Sequence, residues 1–259
     1  MKFGNGIRMS KQKVNLGCGS KILHEWFNLD FPGNKNPNVF TCDITKRWPF
    51  KDNSVQAFYS CHVFEHLAFE LVTSICQKIH KSLISKGIIR ITVPDLEFNC
   101  KLYLSTLKKY RKSKKNKSNL VWARLNLFEQ MVRTKKGGFM LNFLSSCNQR
   151  NLDFVSKTTG GPEALQRNTI ERNENPRTIR SYLEKIFPFD SLDVFPEIHR
   201  WCYDEFELRD ILNSAGFKRI QRKNAGDSEI PGWIEPGIEL TQDGGEWKPN
   251  SLIMEASKA

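Results

Sequence analysis

Short apolar segments separated by turn residues dominate the first 97 residues, and they predict β-strands. The segment "KGIIRITVPD" (86–95) is almost continuously apolar, which is typical of a strand buried on both faces of a parallel sheet. A helix is predicted directly before it, from about residue 62 to 84. Short strands that alternate with helices or turns favour a parallel α/β sheet. The segment "KVNLGCGSK" (13–21) is predicted to be a short strand that runs into Gly17-x-Gly19, and the other predicted strands are "WFNLD" (26–30), "NVFTCDI" (38–44) and "SVQAFYS" (54–60).

This pattern is interrupted by a long segment of different character. Residues 98–198 contain apolar positions at helical spacing in "LVWARLNLFEQMV" (120–132) and "TIRSYLEKIF" (178–187). We therefore predict a single domain, with a core formed by 13–97 and 199–258 and a largely helical insertion on the substrate side.

After the insertion, the sequence again predicts helices and strands in a clear pattern. Asp204 is predicted to cap a helix that ends at Gly216, because short polar acceptors favour the first position of a helix and glycine the position after its end. Strands are predicted at 218–223 and 251–258.

The charge of the chain suggests an anionic partner. Forty Lys and Arg face 28 Asp and Glu, a formal net charge of +12, and "KKYRKSKKNK" (108–117) holds seven basic residues in ten. Such a run is either a solvated helix end or loop, or a contact for nucleic acid, anionic lipid or a phosphate-bearing carrier. Both interpretations stay open.

Cysteine usage and hydropathy predict a cytoplasmic protein. The seven cysteines are scattered and form no C-x-x-C pair, which is typical of free thiols in a reducing compartment. No apolar run of about 18 residues is present, so no membrane span is predicted. The first residues also lack the apolar core of a signal peptide.

Three predicted strand ends carry the residues of a nucleoside site. Gly17 and Gly19 follow the first strand, Asp30 closes the second and Asp43 the third. A dinucleotide fold would place a third glycine near position 22, which is Ile22, so this loop is not built for a pyrophosphate. A glycine loop followed by two acids at successive strand ends is the pattern of an S-adenosylmethionine site.

Several motifs together resemble the class I S-adenosylmethionine-dependent methyltransferases, in particular the UbiG-like and methyltransferase-11-like group. They are "VNLGCGSK", "FNLD", "TCDITKRWPFKDNSVQAFYSCHVFEHL" and "KGIIRITVPDLE". The resemblance implies a Rossmann-like, mostly parallel sheet of seven strands whose antiparallel last strand pairs with the sixth. One departure is that only about ten residues separate Gly19 from Asp30, so the first helix is nearly lost.

The resemblance also assigns cofactor contacts. It places the methionine part of the cofactor at the glycine loop, the ribose at Asp30 and the adenine at Asp43 with Ile44, while Cys61 faces the cofactor through its backbone. The predicted cofactor-binding residues are Asn15, Gly17, Cys18, Gly19, Asp30, Asp43, Ile44 and Cys61.

The segment "SCHVFEHL" (60–67) allows three interpretations. On the predicted helix, His62, Glu65 and His66 lie opposite an apolar stripe, and three such side chains can bind one metal ion. The spacing H-x-x-E-H also occurs in zinc peptidases, but these need a different fold and a further ligand. The third interpretation is a structural brace for the cofactor loop. The predicted stripe is Val63, Leu67, Leu71, Ile75 and Ile79.

The metal interpretation draws on a further resemblance. The catechol O-methyltransferases of ubiquinone synthesis and the small-RNA 3′-terminal 2′-O-methyltransferases carry E-x-x-E-H at this position, with a divalent ion. Here His62 replaces the first Glu, and His199 matches a later histidine ligand of the RNA enzymes. The predicted metal ligands are therefore His62, Glu65, His66 and His199. Nitrogen ligands favour Mn²⁺, Zn²⁺, Fe²⁺ or Co²⁺ over Mg²⁺.

These residues predict an O-methyltransferase that acts on a vicinal diol. The resemblance to saccharide-modifying relatives with a similarly short first helix implies a sugar of a glycan or glycoconjugate as the acceptor. Without a metal, His62 or His199 would be the general base. Asp95 either contacts the substrate or is a turn acid after Pro94. Three alternatives remain: an RNA ribose 2′-O-methyltransferase, a catechol-like small-molecule O-methyltransferase, and a non-enzymatic S-adenosylmethionine-binding scaffold.

Overall fold

The described part of the chain forms two compact units. The first contains the residues as far as Pro94 together with Tyr203–Ile238 and Leu252–Ala259, and the second contains Asp95–Cys202 and Glu239–Ser251. The predicted helix at 178–187 lies outside the described residues. None of the described helices has both the length and the apolar content needed to cross a bilayer. The computed structural model describes residues 12–134, 137–159, 198–233, 238–241 and 243–259.

A seven-stranded sheet forms the centre of the first unit. Its order is β3-β2-β1-β4-β5-β7-β6. The pairs β1–β2, β2–β3, β1–β4 and β4–β5 are parallel, whereas β6 and β7 are antiparallel, as predicted. The strands are β1 Gln12–Leu16, β2 Phe27–Asp30, β3 Phe40–Thr41, β4 Val55–Cys61, β5 Leu83–Pro94, β6 Lys218–Arg222 and β7 Ser251–Ser257. The strand order reverses between β1 and β4, and ligands of such sheets bind beyond the carboxyl ends of the strands at that point.

Both units contain helices. The first unit has α1 Phe69–Ser82 and α6 Glu205–Ser214. Asp204 caps α6 as predicted, because its Oδ1 accepts the Glu207 N–H at 2.9 Å, and Gly216 follows the helix with a φ of +97°. The described part of the insertion is helical, in agreement with the sequence. Its helices are α2 Leu96–Ser113, α3 Lys117–Phe128, α4 Gly138–Ser145 and α5 Gln149–Thr159.

The prediction of a continuous helix from residue 62 is wrong. His62 still extends the strand pairing, since its N–H donates to Thr92 O at 2.8 Å, and its φ of +55° then turns the chain. A short 3₁₀ turn follows at Phe64–His66, and Ala68 is extended, so α1 begins only at Phe69. The buried face of α1 is Val72, Ile75, Cys76 and Ile79, and the predicted stripe through Val63, Leu67 and Leu71 does not exist.

The β1–β2 connection, all of which the structure describes, contains no helix, and residues of a loop after β6 pack beside it on the sheet. Trp26, from the β1–β2 connection, and Trp233, from the loop, pack on Tyr59 of β4. The Tyr59 and Trp233 rings lie 5.0 Å apart and the Trp26 and Trp233 rings 6.3 Å apart, both edge to face. The cluster is completed by Leu23, Ala57, Ile230 and Ile238.

A buried ion pair holds this covering loop on the sheet. Arg90 of β5 is fully buried, and its Nη1 lies 2.7 Å from Oε1 of Glu255 in β7. The guanidinium also donates to the carbonyls of Asn224 at 2.9 Å and Asp227 at 2.8 Å. The Glu255 carboxylate accepts the N–H of Glu229 at 3.0 Å. The Arg90 guanidinium and the Glu255 carboxylate therefore both form hydrogen bonds with the backbone of the loop that they hold on the sheet.

We predict that Glu255→Gln destabilises the protein strongly. The substitution leaves the Arg90 guanidinium buried without its counter-charge, and breaking such a pair costs about 3–5 kcal/mol. The free energy of unfolding in urea measures the effect. The matched control is Glu97→Gln, which breaks the exposed Lys101–Glu97 pair and should cost less than about 1 kcal/mol. Equal losses in the two variants would contradict a stabilising role of the buried pair.

Candidate cofactor site

The glycine loop is tied to the end of β2. The backbone N–H groups of Gly17 and Cys18 both donate to Leu29 O, at 2.8 and 3.0 Å. Cys42 N–H in turn donates to Asp30 O at 2.8 Å. The ends of β1, β2 and β3 are thus joined by backbone hydrogen bonds, which bring the glycine loop close to Asp30.

Glycine occurs at the two positions of this loop for different structural reasons. Gly17 has a φ of +72°, and a Cβ added there would lie 2.2 Å from Cγ2 of Val63, in the segment after β4. Gly19 has a φ of +55°, but a Cβ there would meet no described atom within 4 Å. Gly17 is therefore required for packing within the protein, whereas Gly19 borders open space, as a loop that accommodates a ligand must.

Asn15 shapes the loop from behind. Its side chain is buried, and Nδ2 donates to Asn28 Oδ1 and to Lys21 O, both at 2.9 Å. Asn28 also accepts the N–H of Leu23 at 3.0 Å and donates to Leu23 O at 2.9 Å. Both Nδ2 hydrogens of Asn15 are thus used inside the protein, so its predicted contact with the cofactor is not made through the side-chain N–H groups.

Asp30 lies half-buried at the end of β2, with polar and aromatic neighbours. Asn34 Nδ2 donates to Asp30 Oδ2 at 2.7 Å and to Gly19 O at 2.9 Å. The next residue after Asp30 is Phe31, whose side chain is 59% exposed. A carboxylate accepts two neighbouring hydroxyls and an aromatic ring stacks on a base, so this pair of residues suits a nucleoside.

Cys18 adds no charge to the loop. Burial, with a smaller contribution from the Asp30 charge, raises the pKa of the Cys18 thiol to about 11. The thiol is therefore neutral at physiological pH, which suits a contact with a cofactor more than nucleophilic chemistry.

Asp43 caps the turn that follows β3. Its Oδ1 accepts the Thr45 N–H at 3.0 Å and the Thr45 hydroxyl at 2.6 Å, and Lys46 Nζ lies 3.6 Å from Oδ2. Burial raises the pKa of the Asp43 carboxyl, but the Thr45 hydrogen bonds and the Lys46 charge outweigh it, and the pKa is lowered. The carboxylate is ionised and partly engaged by this turn. The predicted adenine neighbour Ile44 is buried beside it.

The segment after β4 presents a carboxylate and two imidazoles. His62 Nδ1 lies 3.0 Å from Glu65 Oε1, and the Glu65 side chain is almost completely buried. This corrects the expectation that Glu65 projects away from the core, because the 3₁₀ turn points it inward. Tyr203 supports the turn, since its hydroxyl donates to Phe64 O at 3.3 Å. Cys61 ends β4 directly before this segment.

The second unit contains the two other predicted site residues. Asp95 caps α2: its Oδ1 accepts the Phe98 N–H at 3.0 Å, and only 2% of the residue is exposed. The cap agrees with the interpretation of Asp95 as a turn acid, and its contact with a substrate stays a prediction. His199 is held by Gln130, through a backbone bond of 3.1 Å and a side-chain distance of 2.9 Å between Gln130 Nε2 and His199 Nε2.

Comparison with known proteins finds a match to one family model and a likeness to several solved structures. A family model described as "Methyltransferase domain" matches residues 20–91. A search of curated proteins finds no match. Among solved structures, an S-adenosylmethionine-dependent methyltransferase from Archaeoglobus fulgidus has 12% identity and a TM-score of 0.42, and the alignment covers 97% of this chain and 87% of that one.

Two further solved structures have a similar level of likeness. A Thermotoga maritima methyltransferase, described as a possible histamine N-methyltransferase, has 10% identity and a TM-score of 0.40, with 96% of this chain and 82% of that one covered. Phosphoethanolamine N-methyltransferase 2 from Haemonchus contortus has 10% identity and a TM-score of 0.39, with 98% of this chain covered. This chain spans half of the length of the Haemonchus protein, of which 50% is covered.

The family match and the fold agree on the same part of the molecule. The matched segment begins at Ser20, directly after the glycine loop, and ends within β5, so it contains Asp30 and the turn after β4. It contains β2, β3, β4 and most of β5, which lie on both sides of β1 in the sheet, and the switch point between β1 and β4 lies beside that loop. Residues 20–91 therefore match a methyltransferase domain and lie in the part of the sheet that contains the predicted cofactor site.

Proposed function

We propose that this enzyme methylates a hydroxyl oxygen of a vicinal diol on the sugar of a glycan or glycoconjugate. The observation that carries the proposal is the contact of 3.0 Å between His62 and the buried Glu65 carboxylate at the carboxyl end of β4. A hydroxyl must lose its proton when it is methylated, and an imidazole beside a carboxylate is suited to take that proton.

The cofactor contacts follow from the loop geometry of the first unit. S-adenosylmethionine supplies an electrophilic sulfonium methyl group when it is bound. Asp30 is proposed to accept the two ribose hydroxyls, Phe31 to contact the adenine, and Gly19 to leave room for the methionine part. The structural support is the open space beside Gly19 and the exposed ring of Phe31, directly after Asp30.

In the proposed reaction, His62 is the general base. Its Nδ1 faces Glu65, so the proton of the acceptor hydroxyl goes to Nε2. The acceptor oxygen would form its bond to the methyl carbon while the bond between that carbon and the sulfonium sulfur breaks, with the electron pair left on sulfur. The products are the methyl ether, S-adenosylhomocysteine and a protonated His62. The negative charge of Glu65 stabilises the imidazolium that forms.

A divalent ion is the second part of the proposal. Glu65, His66 and His199 each offer one ligand atom, a carboxylate oxygen or an imidazole nitrogen, which suits Zn²⁺, Mn²⁺, Fe²⁺ or Co²⁺. The inclusion of His199 rests on the sequence resemblance, because this residue belongs to the second unit. Such an ion lowers the pKa of a coordinated hydroxyl when it is bound. His62 would then orient the Glu65 carboxylate.

The runner-up acceptor is an RNA ribose, and the basic run favours it. All seven basic residues of 108–117 are exposed, along the end of α2 and the turn to α3. Within the described part of the chain, none of them forms an ion pair with an acid. An uncompensated stripe of this kind is suited to a phosphate backbone.

We predict that Asp30→Ala weakens S-adenosylhomocysteine binding by about 30- to 1000-fold. The substitution removes two charge-assisted hydrogen bonds, which together contribute about 2–4 kcal/mol. Titration calorimetry of the full chain measures the change. Asp52→Ala is the control, because the Asp52 side chain is 61% exposed and lies 3.8 Å from Lys81. Unchanged affinity in Asp30→Ala would remove the cofactor assignment.

We predict that His62→Ala lowers kcat by about 10²- to 10⁴-fold while the affinity for S-adenosylhomocysteine stays near that of the wild type. Methyl transfer is measured on a panel of saccharides with vicinal diols. His24→Ala, an exposed histidine of the β1–β2 connection, is the control. Full turnover in His62→Ala would exclude it as the base.

The same methyl-transfer assay distinguishes general-base catalysis by His62 from catalysis that requires a divalent ion. If the divalent ion is required, a chelator should abolish turnover, addition of Mn²⁺ or Zn²⁺ should restore it, and His66→Ala should lose both the ion and turnover. An enzyme that remains fully active in chelator would contradict the metal proposal and leave the His62 proposal intact.

We predict that, if RNA is the acceptor, its affinity falls steeply with salt and that the triple change of Lys109, Lys112 and Lys115 to Gln reduces the slope by about 2–3. The control removes the same charge elsewhere, through Lys35, Lys51 and Lys157 to Gln, all of which are exposed. If the RNA affinity of the two triple variants depends on salt with equal slopes, RNA binds through the net charge of the protein and not through the basic run 108–117. Absence of RNA binding at low salt would eliminate the runner-up.

A further inference from the structure

The loop after β2 contains an asparagine whose side chain connects two parts of the cofactor site. Asn34 Nδ2 lies 2.7 Å from Asp30 Oδ2 and 2.9 Å from Gly19 O. Its Oδ1 accepts the Asn36 N–H at 3.0 Å. A side-chain amide has two N–H donors, and Asn34 uses one for the acid and the other for the glycine loop.

The backbone of this loop is shaped to bring Asn34 back over the end of β2. Gly33 has a φ of +129°, and the Asn34 N–H returns to Phe31 O at 3.4 Å. Asn36 repeats the local pattern one step further along, because its own Oδ1 accepts the Asn38 N–H at 2.9 Å. Only the first of these two asparagines, however, has a hydrogen bond to Asp30 and Gly19 in the described structure.

We propose that Asn34 is a positioning residue that fixes the Asp30 carboxylate relative to the glycine loop and thereby sets the preference for a nucleoside with both ribose hydroxyls. The proposal rests on the proposed cofactor contacts of Asp30. Asn34 holds one carboxylate oxygen, which prevents rotation of the group about its last bond. The remaining acceptor positions of Asp30 are then directed at a ligand before it binds.

Two physical effects follow from this arrangement. A pre-oriented carboxylate loses less conformational entropy on binding, which raises affinity. A fixed pair of acceptors also discriminates more strongly against a ligand that lacks one hydroxyl, because the carboxylate cannot rotate to compensate for the missing donor. Without Asn34, Asp30 still carries its charge but can adopt other rotamers.

The amide is difficult to replace with another side chain. Aspartate has the same shape and would still accept the Asn36 N–H, but it would place a second carboxylate at the 2.7 Å distance from Asp30 and would lose both donors. Alanine removes all three contacts. The two substitutions therefore separate the donor function of Asn34 from its function in the fold of the loop.

The test is calorimetric titration of the full chain with S-adenosylhomocysteine and with its 2′-deoxy and 3′-deoxy analogues. We expect Asn34→Ala to raise the Kd for S-adenosylhomocysteine about tenfold, the effect of one to two lost hydrogen bonds. In the same variant, the Kd values of the two deoxy analogues should rise less than the Kd for S-adenosylhomocysteine. The ratio of the analogue Kd to the S-adenosylhomocysteine Kd should therefore be smaller than in the wild type. Asn34→Asp should be impaired more than Asn34→Ala. Asn36→Ala, the matched control from the same loop, should bind all three ligands as the wild type does.

A double-mutant cycle distinguishes positioning from a purely structural effect. In the Asp30→Ala background, Asn34→Ala should change the Kd by less than about threefold, because the group that it orients is absent. Urea unfolding identifies a folding defect, and Asn34→Asp, which keeps the shape of the side chain, replaces Asn34→Ala if that variant does not fold.

Two failures have different meanings. If Asn34→Ala and Asn34→Asp bind all three ligands as Asn36→Ala does, or if the effects of Asp30 and Asn34 simply add, the positioning role is overturned. If the wild type does not bind S-adenosylhomocysteine, or if Asp30→Ala binds it equally well, the cofactor proposal itself fails.

Discussion

The buried pair of Arg90 and Glu255 is the interaction on which the first unit depends most. The two residues are 165 positions apart in the chain, and their pairing joins β5 to β7 and anchors the loop after β6. That loop carries Trp233, which packs over Arg90 at 4.5 Å as well as against Tyr59. Burial of a guanidinium has a high desolvation cost, and the hydrogen bonds that Arg90 donates to carbonyl groups of the loop offset this cost.

The covering loop explains why the β1–β2 connection can be so short. A sheet face must be covered by some apolar element, and here tryptophans take the place that a helix would otherwise fill. The loop is linked to β1 and to the connection: Lys13 Nζ donates to Pro231 O at 3.1 Å, and Lys21 Nζ donates to Ile238 O. Side-chain amides of Asn15 in β1 and Asn28 in β2 hold the backbone of the connection at Lys21 and Leu23. Side-chain hydrogen bonds therefore act together with the backbone bonds to Leu29 O to shape the glycine loop and the connection.

The sequence predicted the parts of this fold that depend on local pattern. Apolar strands, the cap at Asp204 and the glycine loop each have a signal within a few residues. The start of α1 was wrong because periodicity does not detect the positive φ of His62 or the extended Ala68. The capping function of Asp95 was left open for a related reason: a cap and a catalytic acid have the same residue type at a strand end. The Asn34 contacts and the Arg90–Glu255 pair depend on residues brought together by folding, which one sequence does not reveal.

One contact links the two halves of the proposed chemistry. Val63 fills the space that a side chain on Gly17 would need, so the glycine loop rests directly on the segment after β4. The neighbouring His62 is held by its N–H to Thr92 O in β5, and its imidazole lies against Glu65. The position of the proposed base is thus fixed by the same packing that shapes the cofactor loop. Because a methyl transfer requires base, acceptor oxygen and sulfonium in one geometry, this shared contact makes the distance between base and cofactor a property of the fold.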